Sequence, residues 1–97
     1  MHANANYGWQ TLERIPPTIL PVPDRAAKLQ RQFGATLRVE RIARKLTQQQ
    51  LAFDAELSLT YIGEIERGQR MISLDTLRRL AAALNITSAE LLAKAGI

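Results

Sequence analysis

Two helix-start signatures lie so close together in this chain that the short helices they open must cross sharply. The first is Thr47-Gln48-Gln49-Gln50. A Thr followed three residues later by Gln has the form of a capping box, in which each side chain satisfies a backbone N–H of the other residue. It opens a helix carrying Leu51, Ala52 and Ala55 on its inner face. The second is Ser58, a cap residue for a helix running from about Leu59 to Glu66 and stopped by Gly68. Only Glu56-Leu57-Ser58 separates the two. A link that short forces the geometry of a helix-turn-helix.

The same reasoning places three more helices around this pair. Asp24 is a candidate cap for a long first helix reaching about Lys45, with Ala26, Leu29, Phe33 and Leu37 at spacings of three and four and Gly34 weakening it locally. Ser73 caps a fourth, with Leu74, Leu77, Leu80, Ala81 and Leu84 as its apolar stripe. Thr87-Ser88-Ala89-Glu90 is a second capping box and opens a short fifth helix carrying Leu91 and Leu92. No strand alternation and no internal repeat is visible. The expected fold is therefore all-α, a compact five-helix domain over residues 24–97. Residues 1–23 form an extended N-terminal arm, because Pro16, Pro17, Pro21 and Pro23 remove donors and restrict their neighbours. Tyr7, Trp9, Ile15, Ile19, Leu20 and Val22 make that arm apolar enough to pack on something.

The residues exclude several kinds of chemistry. With no Cys, the chain has no disulfide, thiolate zinc site or thiol nucleophile, and its one His is His2. No carboxylate cluster suggests a metal, and no Gly-rich loop suggests a phosphate cofactor. Glu64 and Glu66 point to different helix faces, so they are not an acid/base pair. We expect no enzyme activity, no catalytic residue, no metal and no cofactor. No apolar run reaches membrane-spanning length and the N-terminus lacks signal-peptide character, so a cytoplasmic location is the default.

The net charge of +4 is unevenly spread. From Arg25 to Lys45 there are seven basic residues and one acid. From Leu46 to Glu66 there are four acids (Asp54, Glu56, Glu64, Glu66) and no base. From Arg67 to Arg79 there are four Arg and one acid. The basic blocks flank the helix pair and suit a phosphate-bearing partner. Solvated helix faces are the plainer alternative.

On the third helix, Ile62 and Ile65 face inward with Tyr61 and Ser58 beside them. The opposite face carries Thr60, Gly63, Glu64 and Arg67, with Leu59 on its flank. That face is narrow and nearly free of bulk, as a helix entering the DNA major groove requires. Gly63 costs about 1 kcal/mol inside a helix, a cost that a close backbone approach would justify.

The stretch Leu46-Thr47-Gln48-Gln49-Gln50-Leu51-Ala52, then Ala55-Glu56-Leu57-Ser58, then Tyr61-Ile62-Gly63-Glu64-Ile65-Glu66-Arg67-Gly68 resembles the lambda-repressor-like (Cro and phage repressor) helix-turn-helix family. Ser73-Leu74-Asp75-Thr76-Leu77 and Leu80-Ala81-Ala82-Ala83-Leu84 continue the likeness, which spans about residues 33–93. The run Tyr-Ile-x-x-Ile-Glu-Arg-Gly-x-Arg is also similar to controller proteins of restriction–modification systems. The resemblance implies a transcriptional regulator that binds a pseudo-palindromic double-stranded DNA operator as a homodimer. It implies phosphate contact by Gln48, base reading by Leu59, Thr60 and Glu64, and an ion pair between Arg41 and Glu66. One departure is Glu56, which occupies the turn position where that family usually has Gly and would be strained if its φ is positive.

Gly63 joins the expected base-reading surface, and Arg38, Arg44, Ser58, Arg67 and Arg70 join Gln48 as expected phosphate contacts. Leu91, Leu92 and Ile97 are expected to leave an apolar patch for a second copy. The competing reading is an antitoxin-like or other protein-binding module whose N-terminal arm engages a partner protein.

Overall fold

The computed structural model of the protein describes residues 22–97, and residues 1–21 of the arm expected over 1–23 lie outside them. Five helices run in order: α1 (Val22–Ala43), α2 (Gln48–Ala55), α3 (Leu59–Glu66), α4 (Leu74–Ala83) and α5 (Ser88–Lys94). The described residues contain no strand. Helix α1 packs on α3 and α5, α2 packs on α3 and α4, and α4 packs on α5.

Four of the five expected caps are present. Thr47 and Thr87 each form a complete capping box, and the Ser58 and Ser73 hydroxyls accept from the N–H of Tyr61 and Thr76. The long helix differs from expectation at both ends. Pro23 and Asp24 lie inside α1, so the arm does not reach residue 23 and Asp24 is not the cap; Pro is well accommodated in a first helical turn. At the other end α1 stops at Ala43, because Lys45 takes the left-handed conformation with φ 59° and Leu46 N–H returns to the Arg41 carbonyl at 3.1 Å.

Phe33, Leu37, Leu51, Ala52, Ala55, Ile62, Ile65, Leu77, Leu80, Ala81, Leu84 and Leu91 form one buried cluster. Three apolar assignments need correction. Leu91 is fully buried, so it offers nothing to a second copy. Leu29 sits on the α1 stripe but is exposed, and it lines an apolar depression with Phe33, Met71, Ile72 and Ile97. Leu74 is 84% exposed, because it is the first residue of α4 and no element covers that turn.

Gly34 has a more specific role than weakening α1. A Cβ there would lie 2.1 Å from the Ile65 carbonyl oxygen. Helix α1 and the end of α3 therefore meet backbone to backbone at this point, which only glycine allows. This contact seats the short α3 against the rest of the domain.

Candidate nucleic-acid interface

Helix α3 is fixed at both ends by local chemistry. Before it, Glu56 adopts φ 58°, ψ 44°, and Leu57 N–H reaches back to the Ala52 carbonyl at 2.9 Å. The strain expected of a non-glycine residue at this turn is therefore present. The Glu56 carboxylate meets Arg79 Nη1 at 3.1 Å across the turn. After α3, Gly68 takes φ 73°. Its N–H bonds the Ile65 carbonyl and the Gln69 N–H bonds the Glu64 carbonyl, both at 2.9 Å. This is a Schellman closure, and it turns the chain back along the helix it has just ended.

The inner side of α3 is committed to structure. Ile62 and Ile65 are in the core. Arg41 reaches Glu66 with two prongs, Nε to Oε2 at 2.6 Å and Nη2 to Oε1 at 3.0 Å. Its remaining arm donates to the Leu46 carbonyl at 2.8 Å. The side chains of Arg41 and Glu66 are 11% and 4% exposed. The hydrogen bonding that Arg41 donates to the Glu66 carboxylate raises the Arg41 pKa further above its already high value. Gln48 completes the cluster by donating its amide to Glu66 Oε1 at 2.9 Å.

The outer side is open. Leu59 is about half exposed, Thr60 and Arg67 are exposed, and Glu64 is half-buried. A shallow depression is lined by Ser58, Thr60, Tyr61, Glu64 and Arg70. Within it Arg70 Nη1 lies 2.8 Å from Glu64 Oε1, and the Arg70 guanidinium carbon sits 4.9 Å from the centre of the Tyr61 ring.

Several expected site residues are placed differently from the sequence reading. Gly63 is buried, not bare. A Cβ there would meet the Arg67 guanidinium at 3.0 Å, because the Arg67 side chain folds back toward the helix N-terminus over it. Close approach at Gly63 requires Arg67 to swing aside. Arg44 is not a free cation: its Nε donates to the Leu84 carbonyl at 2.8 Å and its Nη1 to the Glu40 carbonyl and carboxylate, fastening α1 to the end of α4. The Gln48 side chain is engaged by Glu66. Arg70 and Glu64, expected to act on phosphate and base separately, face each other. Arg38 is exposed and engages no carboxylate among the described residues. The sequence reading missed Tyr61 as the platform under Arg70. The available signal was the Gly68 turn, which brings the residues after α3 back toward Tyr61 and Glu64.

The carboxylates between Leu46 and Glu66 are largely matched by cations in three dimensions. Glu56, Glu64 and Glu66 are each paired with an Arg supplied by a flanking basic stretch. Repulsion of a polyanion by these carboxylates is correspondingly reduced.

This arrangement of α2, the tight turn and α3 matches a known pattern. The model of a family described as helix-turn-helix matches residues 37–91, which is more than half of the chain. The chain belongs to the lambda-repressor-like helix-turn-helix family. It is 39% identical over 61 residues to the control protein C.BamHI of Bacillus amyloliquefaciens, covering 62% of this chain and 75% of that one. It is 43% identical over 65 residues to the control protein C.SmaI of Serratia marcescens, covering 67% and 77%. Among solved structures it resembles the restriction-modification controller protein C.AhdI from Aeromonas hydrophila, with a TM-score of 0.63, 45% identity, and coverage of 64% of this chain and 94% of that one. Helix-turn-helix proteins of this family are DNA-binding transcription regulators. No helix among the described residues is long and apolar enough to cross a membrane.

Proposed function

We propose that this protein is a sequence-specific transcriptional regulator that binds a pseudo-palindromic operator as a homodimer, with α3 in the major groove. The observation that carries this reading is the division of α3 between its faces. The inner face is held by the core and by the Arg41–Glu66–Gln48 cluster, while Leu59, Thr60 and Glu64 stand clear of both. A rigid helix whose outer face is not committed to the core is the form that direct base readout needs. Leu59 suits a thymine methyl and Thr60 a base edge. Glu64 can accept only from a donor, so cytosine N4 or, second, adenine N6 is its match. Arg38 and Arg67 supply exposed cations for phosphates, and the first N–H groups of α2 and α3, at Gln48 and after Ser58, supply neutral donors.

The homodimer reading is supported by the exposed apolar residues Leu29, Met71 and Ile97, gathered around Phe33 and Ile72. An apolar patch of this kind is suited to burial against another surface.

The test is selection from a randomised duplex library with the purified chain, followed by sedimentation of the protein with and without the selected site. The expected result is a two-fold related site with half-site centres roughly 34 Å apart, bound by two copies. Failure to enrich any sequence, or a monomer at high micromolar concentration in both states, overturns the proposal.

A further inference from the structure

We infer that Arg70 is a positioning residue for base reading by Glu64, with Tyr61 as its platform, and is not a phosphate clamp. The inference rests on the proposed function and extends it to a residue that does not itself face the DNA bases.

A carboxylate on the outer face of α3 enters a groove walled by phosphates, and a freely rotating Glu would turn away from them. Glu64 does not rotate freely. Its Oε1 is held by Arg70 Nη1 at 2.8 Å, and the carboxylate is half-buried against the depression formed with Ser58, Thr60 and Tyr61. Arg70 is in turn held from below, with its guanidinium carbon 4.9 Å from the Tyr61 ring centre. The Tyr61 hydroxyl is 3.5 Å from Thr76 Oγ1, whose residue is buried at the start of α4. The chain of contacts therefore runs from the domain interior through Tyr61 and Arg70 to the Glu64 carboxylate. Helix geometry alone cannot bring Arg70 there. The Gly68 turn does so by reversing the chain immediately after α3.

Two consequences follow from elementary electrostatics and geometry. Arg70 neutralises Glu64 beside a polyanion, which lowers the repulsion that a bare carboxylate would meet. With Oε1 occupied, Oε2 is the oxygen left to accept from a base, so its direction is defined before DNA arrives. A guanidinium already spent on a carboxylate and an aromatic face has less to offer a phosphate. Arg38 and Arg67 carry no such double commitment.

The experiment uses the full chain and the site obtained by selection. Binding is measured to that site, to the same site changed at the base pair whose preference depends on Glu64, and to random duplex. The proteins are wild type, Glu64→Gln, Arg70→Ala and the double variant, all with circular dichroism as a folding check. Arg70 is exposed, so its removal leaves the core intact. If Arg70 positions Glu64, Arg70→Ala lowers discrimination at that one base pair by roughly tenfold. Discrimination at other positions holds. In the Glu64→Gln background, Arg70→Ala then changes neither discrimination nor the salt dependence of random-duplex binding. The inference is overturned if Arg70→Ala leaves that discrimination intact. It is equally overturned if, in the Glu64→Gln background, Arg70→Ala weakens all duplexes together and reduces the salt slope by about one unit, the mark of a phosphate contact. A wild type that discriminates no base pair removes the proposed function as well, whereas a discriminating wild type with an unaffected Arg70→Ala removes this inference alone.

Discussion

Two Arg–Glu pairs are built on carboxylates of the same eight-residue helix, and they differ in almost everything except their chemistry. Glu66 and Arg41 lie on the inner side, nearly sealed from solvent, with two hydrogen bonds between them and further bonds to Leu46 and Gln48. Glu64 and Arg70 lie on the outer side, with side chains 30% and 51% exposed and one bond between them. The inner pair ties α1 to α3 across 25 residues of sequence, whereas the outer pair spans six. A buried pair is expensive to break, because the surviving charge is stranded. An exposed pair adds little stability, because water competes for both partners. The same interaction thus fastens two helices on one face and only orients a surface side chain on the other, and solvent access makes most of the energetic difference.

Removing one partner of the inner pair should have the largest effect. Glu66→Ala strands Arg41 and leaves Gln48 without its acceptor, at a cost of roughly 3 kcal/mol or more. In a domain of this size that lowers Tm by at least about 12 °C. A thermal melt in which Glu66→Ala and Glu64→Ala lose the same stability would break the contrast between the two faces. Next comes the seat beneath α3. Gly34→Ala places a methyl carbon into the Ile65 carbonyl, and neither backbone can yield cheaply. We expect a loss of about 2 kcal/mol by denaturant unfolding. A stability equal to wild type would show that the two backbones can separate without cost.

A gain is expected at the turn. Glu56→Gly relieves a left-handed non-glycine residue and removes only an exposed contact to Arg79, so stability should rise by somewhat less than about 1 kcal/mol. A net loss would mean that the Arg79 contact outweighs the backbone strain.

The acid limb of stability offers a finer test. The bond from Arg44 holds the Glu40 carboxyl below its ordinary value near 4.5, with Lys94 assisting. A carboxyl depressed in the folded state contributes stability that is complete above that ordinary value and is lost as pH falls through the depressed one. Tm should therefore be insensitive to this group from neutral pH down to about 4.5 and then decline. Glu40→Gln should flatten that decline in a Tm-against-pH series, and an unchanged decline would exclude Glu40 as a contributor. The smallest effect on stability is expected on the outer face. Glu64→Gln should shift unfolding by no more than about 0.5 kcal/mol, although it alters DNA preference. A large destabilisation would mean that Glu64 belongs to the fold and not to the reading surface.

Local order in the sequence determined most of the fold. Thr47, Ser58, Ser73 and Thr87 cap helices where their spacing to the following residues says they should, because a cap is satisfied within one helical turn. The short link between α2 and α3 fixed the crossing of the helix pair for the same reason. The Arg41–Glu66 pair was implied by the family resemblance, and the two side chains meet at 2.6 Å. What the sequence could not decide was the use of each exposed or half-exposed polar group. Arg44 and Arg70 read alike in the chain. One is anchored to the Leu84 carbonyl and the other to a neighbouring carboxylate and ring. Gly34 and Gly63 both read as helix-weakening residues. One marks a backbone contact between helices, and the other lies under Arg67. Leu74 reads as an apolar stripe residue and Leu91 as part of a patch for a second copy, yet the first is exposed and the second sealed. These outcomes depend on which distant element covers a given turn. Capping and periodicity act over a few residues, so they are written in the sequence directly. Coverage and pairing are settled when helices far apart in the chain meet, and only the tertiary structure holds that information.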